Sequence, residues 1–225
     1  MDKYTQVDYT RSALITIDTQ CDTLDGQPLE IAGTSAALPN MLALLSEYRK
    51  LERSIVHIVR IYKRDGTNVD LCRRSAIEGG AQMLLEGHAG CELATALFPE
   101  ATVHLEYDLL LSGGIQMVGK NEVIIYKSRW GAFYNTPLED HLRSLGVNSL
   151  VFSGCNFPNC PRTSIYEASE RDYRITLAED AISGFYPKGK KELENIGIQV
   201  AMTAEIINEM RAQHATAGDA DRLRP

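Results

Sequence analysis

Basic residues are in short supply here: 23 Lys and Arg against 30 Asp and Glu give a formal net charge of −7. Phosphate recognition needs a positive field, so neither a nucleic acid nor an anionic membrane is the expected partner, and a small molecule is. Cysteine is present but unpatterned. Cys21, Cys72, Cys91, Cys155 and Cys160 form an odd set with no Cys-x-x-Cys pair and no histidine-rich companion spacing. Neither a disulfide framework nor a zinc site is indicated, and no cofactor or metal is expected. Long apolar runs are missing as well. The opening MDKYTQVDYTRSALITID has no apolar core of signal-peptide length, and no later stretch reaches a membrane-spanning length. The expectation is a soluble, cytoplasmic protein with reduced thiols. Repeats and low-complexity tracts are absent too, and 225 residues suffice for one α/β domain over 1–225, with tails at 1–10 and 215–225 expected to fray.

What is present is an alternation of apolar strands and amphipathic helices. Ala13 to Ile17 reads as a central parallel strand ending in Asp18. Thr34 to Leu51 carries Leu38, Leu42, Leu45 and Tyr48 at helical spacing, and Ser54 to Tyr62 is a second strand, which makes a right-handed βαβ unit. His57 lies inside that strand and reads as a core histidine. Residues 63 to 121 are irregular, with short helical pieces at Val69 to Ile77 and Cys91 to Leu97 broken by repeated glycines. Glu122 to Tyr126 is a third strand ending in Lys127, beside Trp130 and Phe133, two rings placed to line a pocket. Lys120, in a Gly-Lys-Asn turn, is the competing lysine and reads as solvent-exposed. Thr136 to Leu145 is a helix with Leu138, Leu142 and Leu145 inward, Ser149 to Phe152 a fourth strand, Arg174 to Ala178 a fifth, and Lys188 to Met210 holds one or two helices.

The stretch SGCNFPNCPRTSIYEASERDY, Ser153 to Tyr173, puts Cys160 at a strand-to-helix switch, in an N-cap position with Pro161 at the first helical residue. The positive end of the helix there favours thiolate over thiol. Strands alternating with helices predict a doubly wound, mostly parallel sheet covered on both faces. In such a sheet Asp18, Lys127 and Cys160 arise at one edge, where ligands bind, and acid, cation and thiol together make an activated nucleophile.

On these residues the chain resembles the isochorismatase-like cysteine hydrolase superfamily. ALITIDTQ is similar to the family's first strand with its Asp and a Gln two residues on, KSRWGAF to its lysine motif, and Gly-Cys-Asn-Phe-Pro-Asn-Cys to its loop leading to the cysteine. The resemblance implies a six-stranded parallel sheet, a homodimer or homotetramer, and a catalytic set of Cys160 as nucleophile, Asp18 as general base and Lys127 as the residue that lowers the thiol pKa. It further implies a non-proline cis peptide at Cys155-Asn156 that aims the Asn156 N–H, with that of Cys160, at an oxyanion. Gln20, Trp130, Phe133 and Phe157 then belong to the substrate pocket, and Arg60, Arg129 and Arg162 are either carboxylate anchors or structural ion-pair partners.

Nicotinamidases of the superfamily carry an Asp-x-His metal motif after the second strand, where this chain reads RIYKRDGTNVD without histidine. Isochorismatases proper cleave a vinyl ether without the cysteine. The implied activity is therefore hydrolysis of a small-molecule C–N bond through a thioester. The substrate would be of streptothricin-lactam, N-carbamoyl-amine, biuret, maleamate or ureidoacrylate type. The competing expectation is a non-hydrolytic ligand-binding scaffold in which Cys155 and Cys160 sense redox state.

Overall fold

The computed structural model describes residues 2–100 and 103–222. Its centre is a single sheet of seven strands in the order β3-β4-β2-β1-β5-β6-β7. The strands are β1 (Ser12–Ile17), β2 (Ser54–Val59), β3 (Ile115–Gly119), β4 (Glu122–Tyr126), β5 (Ser149–Gly154), β6 (Arg174–Ile182) and β7 (Gln199–Ala201). All neighbours pair in parallel except β3 with β4, which are antiparallel.

The helices are α1 (Thr34–Lys50), α2 (Leu71–Glu78), α3 (Tyr107–Leu111), α4 (Leu138–Ser144), α5 (Cys160–Ser169), α6 (Pro187–Glu194) and α7 (Thr203–Arg222). One sheet face packs Leu14, Ile55 and Val151 under Met41, Leu44 and Leu45 of α1 and Ile206 and Met210 of α7. The other packs Ile15, Val56 and Phe152 under Leu138 and Leu142 of α4, Ile165 and Ala168 of α5 and Leu193 of α6. The alternation along each strand thus feeds two cores, as a doubly wound sheet requires.

Seven strands replace the expected six. Five of the seven are read directly from the sequence, and the two that are not are the edges: β3, half-buried with Met117 exposed, and β7, of three residues. Leu145, expected inward, lies beyond the end of α4 and is exposed. Val7 and Tyr9 are buried in the stretch expected as an N-terminal tail, and Gln213 of α7 ties that segment down by accepting from Tyr9 N at 2.7 Å and donating to Val7 O at 3.1 Å. Residues 215–222 continue α7 as helix, and 223–225 lie outside the described residues. No helix among the described residues is long and apolar enough to cross a membrane.

β1 sits at the middle of the sheet, with β2 on one side and β5 on the other. The chain runs outward from β1 through β2 to the edge strand β3, turns back into β4, then crosses to β5 on the other side of β1 and runs out through β6 and β7. The reversal of direction falls between β1 and β5, and their carboxyl ends open a crevice there.

Candidate active site

Four strand ends deliver the residues of the crevice and the lysine beneath it. Asp18 follows β1 in a left-handed backbone conformation, φ 49°, with its N–H donating to Ile58 O at 2.9 Å. Lys127 follows β4 and extends that strand's pairing by donating its N–H to Val59 O at 3.0 Å. Arg60 follows β2. Beyond β5, Gly154 has φ 118°, and a Cβ there would collide with the Ile17 backbone, so glycine is what lets the β5 loop pass close to the end of β1. The peptide Cys155-Asn156 is cis. Asn159 then caps α5, Cys160 is its first residue and Pro161 its second, one place later than the expected N-cap. Ser164 fixes the start of that helix to the lysine loop: its hydroxyl donates to Cys160 O at 2.7 Å and accepts from Ala132 N at 3.0 Å.

Lys127 is fully buried, and its Nζ donates to Asp18 Oδ2 at 2.7 Å and to Arg129 O at 3.2 Å. Asp18 is 7% exposed, and its other oxygen, Oδ1, has no hydrogen-bond partner among the described residues. A buried carboxylate oxygen left unpaired is costly unless something is meant to occupy it. Cys160 is also buried. Burial pushes its thiol up and the Asp18 carboxylate adds to this, while the Lys127 and Arg60 cations pull it back, leaving it at about 11. The resting sulfur is therefore a thiol: the expected pull of the helix end and of Lys127 toward thiolate is outweighed by desolvation beside a carboxylate. The backbone N–H groups of Asn156 and Cys160 have no backbone acceptor among the described residues.

Arg60, which the sequence left undecided, is held against the sulfur. Only 1% exposed, it donates through Nη1 to Asp70 Oδ2 at 2.5 Å and Ser128 O at 3.1 Å, and through Nη2 to Arg129 O at 2.7 Å, with Cys160 Sγ 3.8 Å away. Its neighbours were illegible because Asp70 lies ten positions along an irregular loop and the other two acceptors are backbone carbonyls.

The rings divide. Trp130 lines the crevice with Asp18, Arg60, Asn156 and Cys160. Phe133 instead packs on Tyr173 at 5.9 Å between ring centres, and Phe157 packs edge-on against Phe185 at 4.8 Å, both buried in the core beneath. Gln20 is spent on the backbone: Nε2 donates to Arg60 O at 2.8 Å and to Cys91 O, and Oε1 accepts from Arg60 N at 2.8 Å. It braces the end of β2 and does not line the crevice. Arg162 pairs with Glu192 at 2.7 Å and the exposed Arg129 donates to Asn68 O and Ser128 O, so neither guanidinium faces the sulfur. Lys120 pairs with Glu52 on the surface, as its turn position suggested. Arg73, on the helix α2 that matches the helical piece expected at Val69 to Ile77, and Leu84, from the irregular stretch after it, also line the crevice. The described residues contain no group of three or more His, Cys, Asp or Glu side chains placed to hold a metal ion.

A doubly wound α/β sheet with a cysteine, a carboxylate and a lysine buried together at the switch between β1 and β5 defines a narrow class of proteins. The isochorismatase domain model matches residues 12–208, and the chain belongs to that family. Among its relatives, a probable inactive nicotinamidase of Arabidopsis thaliana is 26% identical over 211 residues, covering 90% of this chain and 97% of that one. A maleamate amidohydrolase of Pseudomonas putida is 24% identical over 181 residues, covering 76% and 72% of the two chains. The crystal structure of an isochorismatase family protein from Desulfovibrio vulgaris superposes with a TM-score of 0.76 at 25% identity, covering 89% of this chain and 98% of that one.

Proposed function

We propose that this protein is a cysteine-dependent amidohydrolase, cleaving a C–N bond of a small molecule through a thioester. The observation that carries the reading is the buried Asp18 carboxylate, clamped by Lys127 on one oxygen and unpartnered on the other, in one crevice with the Cys160 thiol. The unpartnered Oδ1 is the proton acceptor. As Cys160 Sγ attacks the amide carbonyl carbon, the thiol proton passes to Oδ1, so a thiolate never has to persist in a buried site. The N–H groups of Asn156 and Cys160 hold the tetrahedral oxyanion, a contribution of about 3 kcal/mol per donor in comparable sites. Collapse breaks the C–N bond, and the proton held by Asp18 moves to the departing nitrogen. Water, deprotonated by Asp18, then attacks the thioester and releases the acid and the free thiol. Lys127 keeps the carboxylate oriented throughout and balances its charge.

The maleamate amidohydrolase among the relatives is in keeping with amide hydrolysis by its name, whereas the Arabidopsis thaliana relative is named as a probable inactive nicotinamidase. The redox alternative loses ground to the placement of Cys155. That thiol is buried, donates to Asp18 O at 3.1 Å, and burial with the nearby Asp18 carboxylate pushes it up to about 12, far from the low-pKa, accessible state that thiol sensing uses. A panel of small amides, lactams and ureides assayed for ammonia or amine release tests the reading. Cys160→Ala should abolish release, and intact-mass analysis of the wild type mixed rapidly with substrate should show an acyl adduct. Near-normal turnover by Cys160→Ala would end the covalent scheme.

A further inference from the structure

We propose that the crevice selects amides that carry a carboxylate, and that Arg73 on α2 receives that carboxylate. The cations around the sulfur differ in how they are compensated. Lys127 has Asp18, and Asp70 serves Arg60 and, at 4.0 Å, Arg129. Arg73 has no carboxylate partner among the described residues. Its Nη1 donates to the Tyr62 hydroxyl at 2.9 Å, and Tyr62 in turn donates to Asp70 Oδ2 at 2.7 Å. That chain fixes the guanidinium by one nitrogen and leaves the rest of its fork unspent.

Trp130 supplies the second constraint. The Arg60 and Arg73 guanidinium carbons each lie 5.4 Å from its ring centre, so the indole holds two like charges beside one crevice. Arg73 lines that crevice together with Asp18 and Cys160. A half-buried cation, pre-oriented and lacking a counter-ion among the described residues, in a protein of net charge −7, marks the place where an anion belongs. Arg60, by contrast, is saturated by Asp70 and two carbonyls and cannot take a second carboxylate. The inference rests on the hydrolase reading only for the position of the reacting carbonyl, at Cys160. The substrate class is then a small ω-amide or ureide of a carboxylic acid, with its carboxylate toward α2.

Binding to the Cys160→Ala protein tests this without any need for turnover. Malonamate, succinamate and glutaramate, each paired with its neutral diamide, are titrated calorimetrically. At least one anion should bind about tenfold tighter than its diamide, the scale of one charge-assisted contact. Arg73→Gln, added to that background, should erase the difference, and Arg73→Lys should restore part of it. Unaltered melting temperature controls for folding, since Arg73 sits on a helix with no buried side chain. Equal binding of anion and diamide, a preference unchanged in Arg73→Gln, or no measurable binding of any of the three anions would overturn the proposal. Failure of the hydrolase reading would show separately, as no ammonia or amine release by the wild type from any amide of the panel.

Discussion

At Cys160 two opposed influences meet. Burial and the Asp18 carboxylate hold the proton on sulfur, while Lys127 and Arg60 work to remove it, and the balance falls at about 11. A thiol with that value is protonated through the physiological range and becomes nucleophilic on its own only as pH rises toward 11. The rate of Cys160 alkylation by iodoacetamide, followed by peptide mass spectrometry so that exposed Cys72 does not mask it, should therefore climb about tenfold per pH unit from neutrality upward. A plateau reached below pH 8 would show a free thiolate instead and remove the need for Asp18 as proton acceptor.

The strands contribute more than scaffolding. His57, read from the sequence as a core residue, bridges Thr16 of β1 at 2.7 Å and Glu122 of β4 at 2.8 Å, and Arg49 of α1 donates to the same carboxylate at 2.7 and 2.8 Å. Burial pushes Glu122 up, but the hydrogen bonds and charges of Arg49 and His57 outweigh it and hold the group down at about 2. A carboxyl depressed in the folded state stabilises fully above its ordinary value and loses that contribution as pH falls through the folded one. Urea midpoints should thus fall progressively as pH drops from about 5 to about 2. Glu122→Gln should cost about 3 kcal/mol at neutral pH by leaving Arg49 and His57 without their anion, and should flatten that acid dependence. A variant as stable as the wild type at pH 7 would refute this account of the network.

The same elements explain what could be read beforehand. β1, β2, β4 and β5 announced themselves because strands buried on both faces need unbroken β-branched runs, and Asp18, Lys127 and Cys160 stood at their ends. β3 and β7 escaped notice because an edge strand with one wet face, or one of three residues, needs no such run. Gln20, Phe133 and Phe157 were adjacent to the site in sequence, yet their side chains turn into the framework, and no local pattern distinguishes a ring that faces a crevice from one that supports it. Arg60 and Arg73 carry no local mark of their roles, which come from Asp70, Tyr62 and Trp130, partners that only the folded chain brings together.

At the scale of the whole molecule, the free space over the sulfur is about 20 Å³, enough for about one water molecule. An amide is several times larger, so admission requires part of the wall to yield. The cheapest part to displace is α2, eight residues with none buried, whereas the opposite wall is built on the ends of β1 and β5 in the middle of the sheet. Amide hydrogen exchange in residues 71–78 should therefore be among the fastest of any helix interior, and should slow when succinamate occupies the Cys160→Ala protein. Protection of that segment matching α1 would contradict a moving wall. A catalyst whose crevice is this narrow at rest admits substrate only as fast as that wall moves, and where that motion limits turnover solvent viscosity becomes a brake on the reaction although the chemistry itself is indifferent to it.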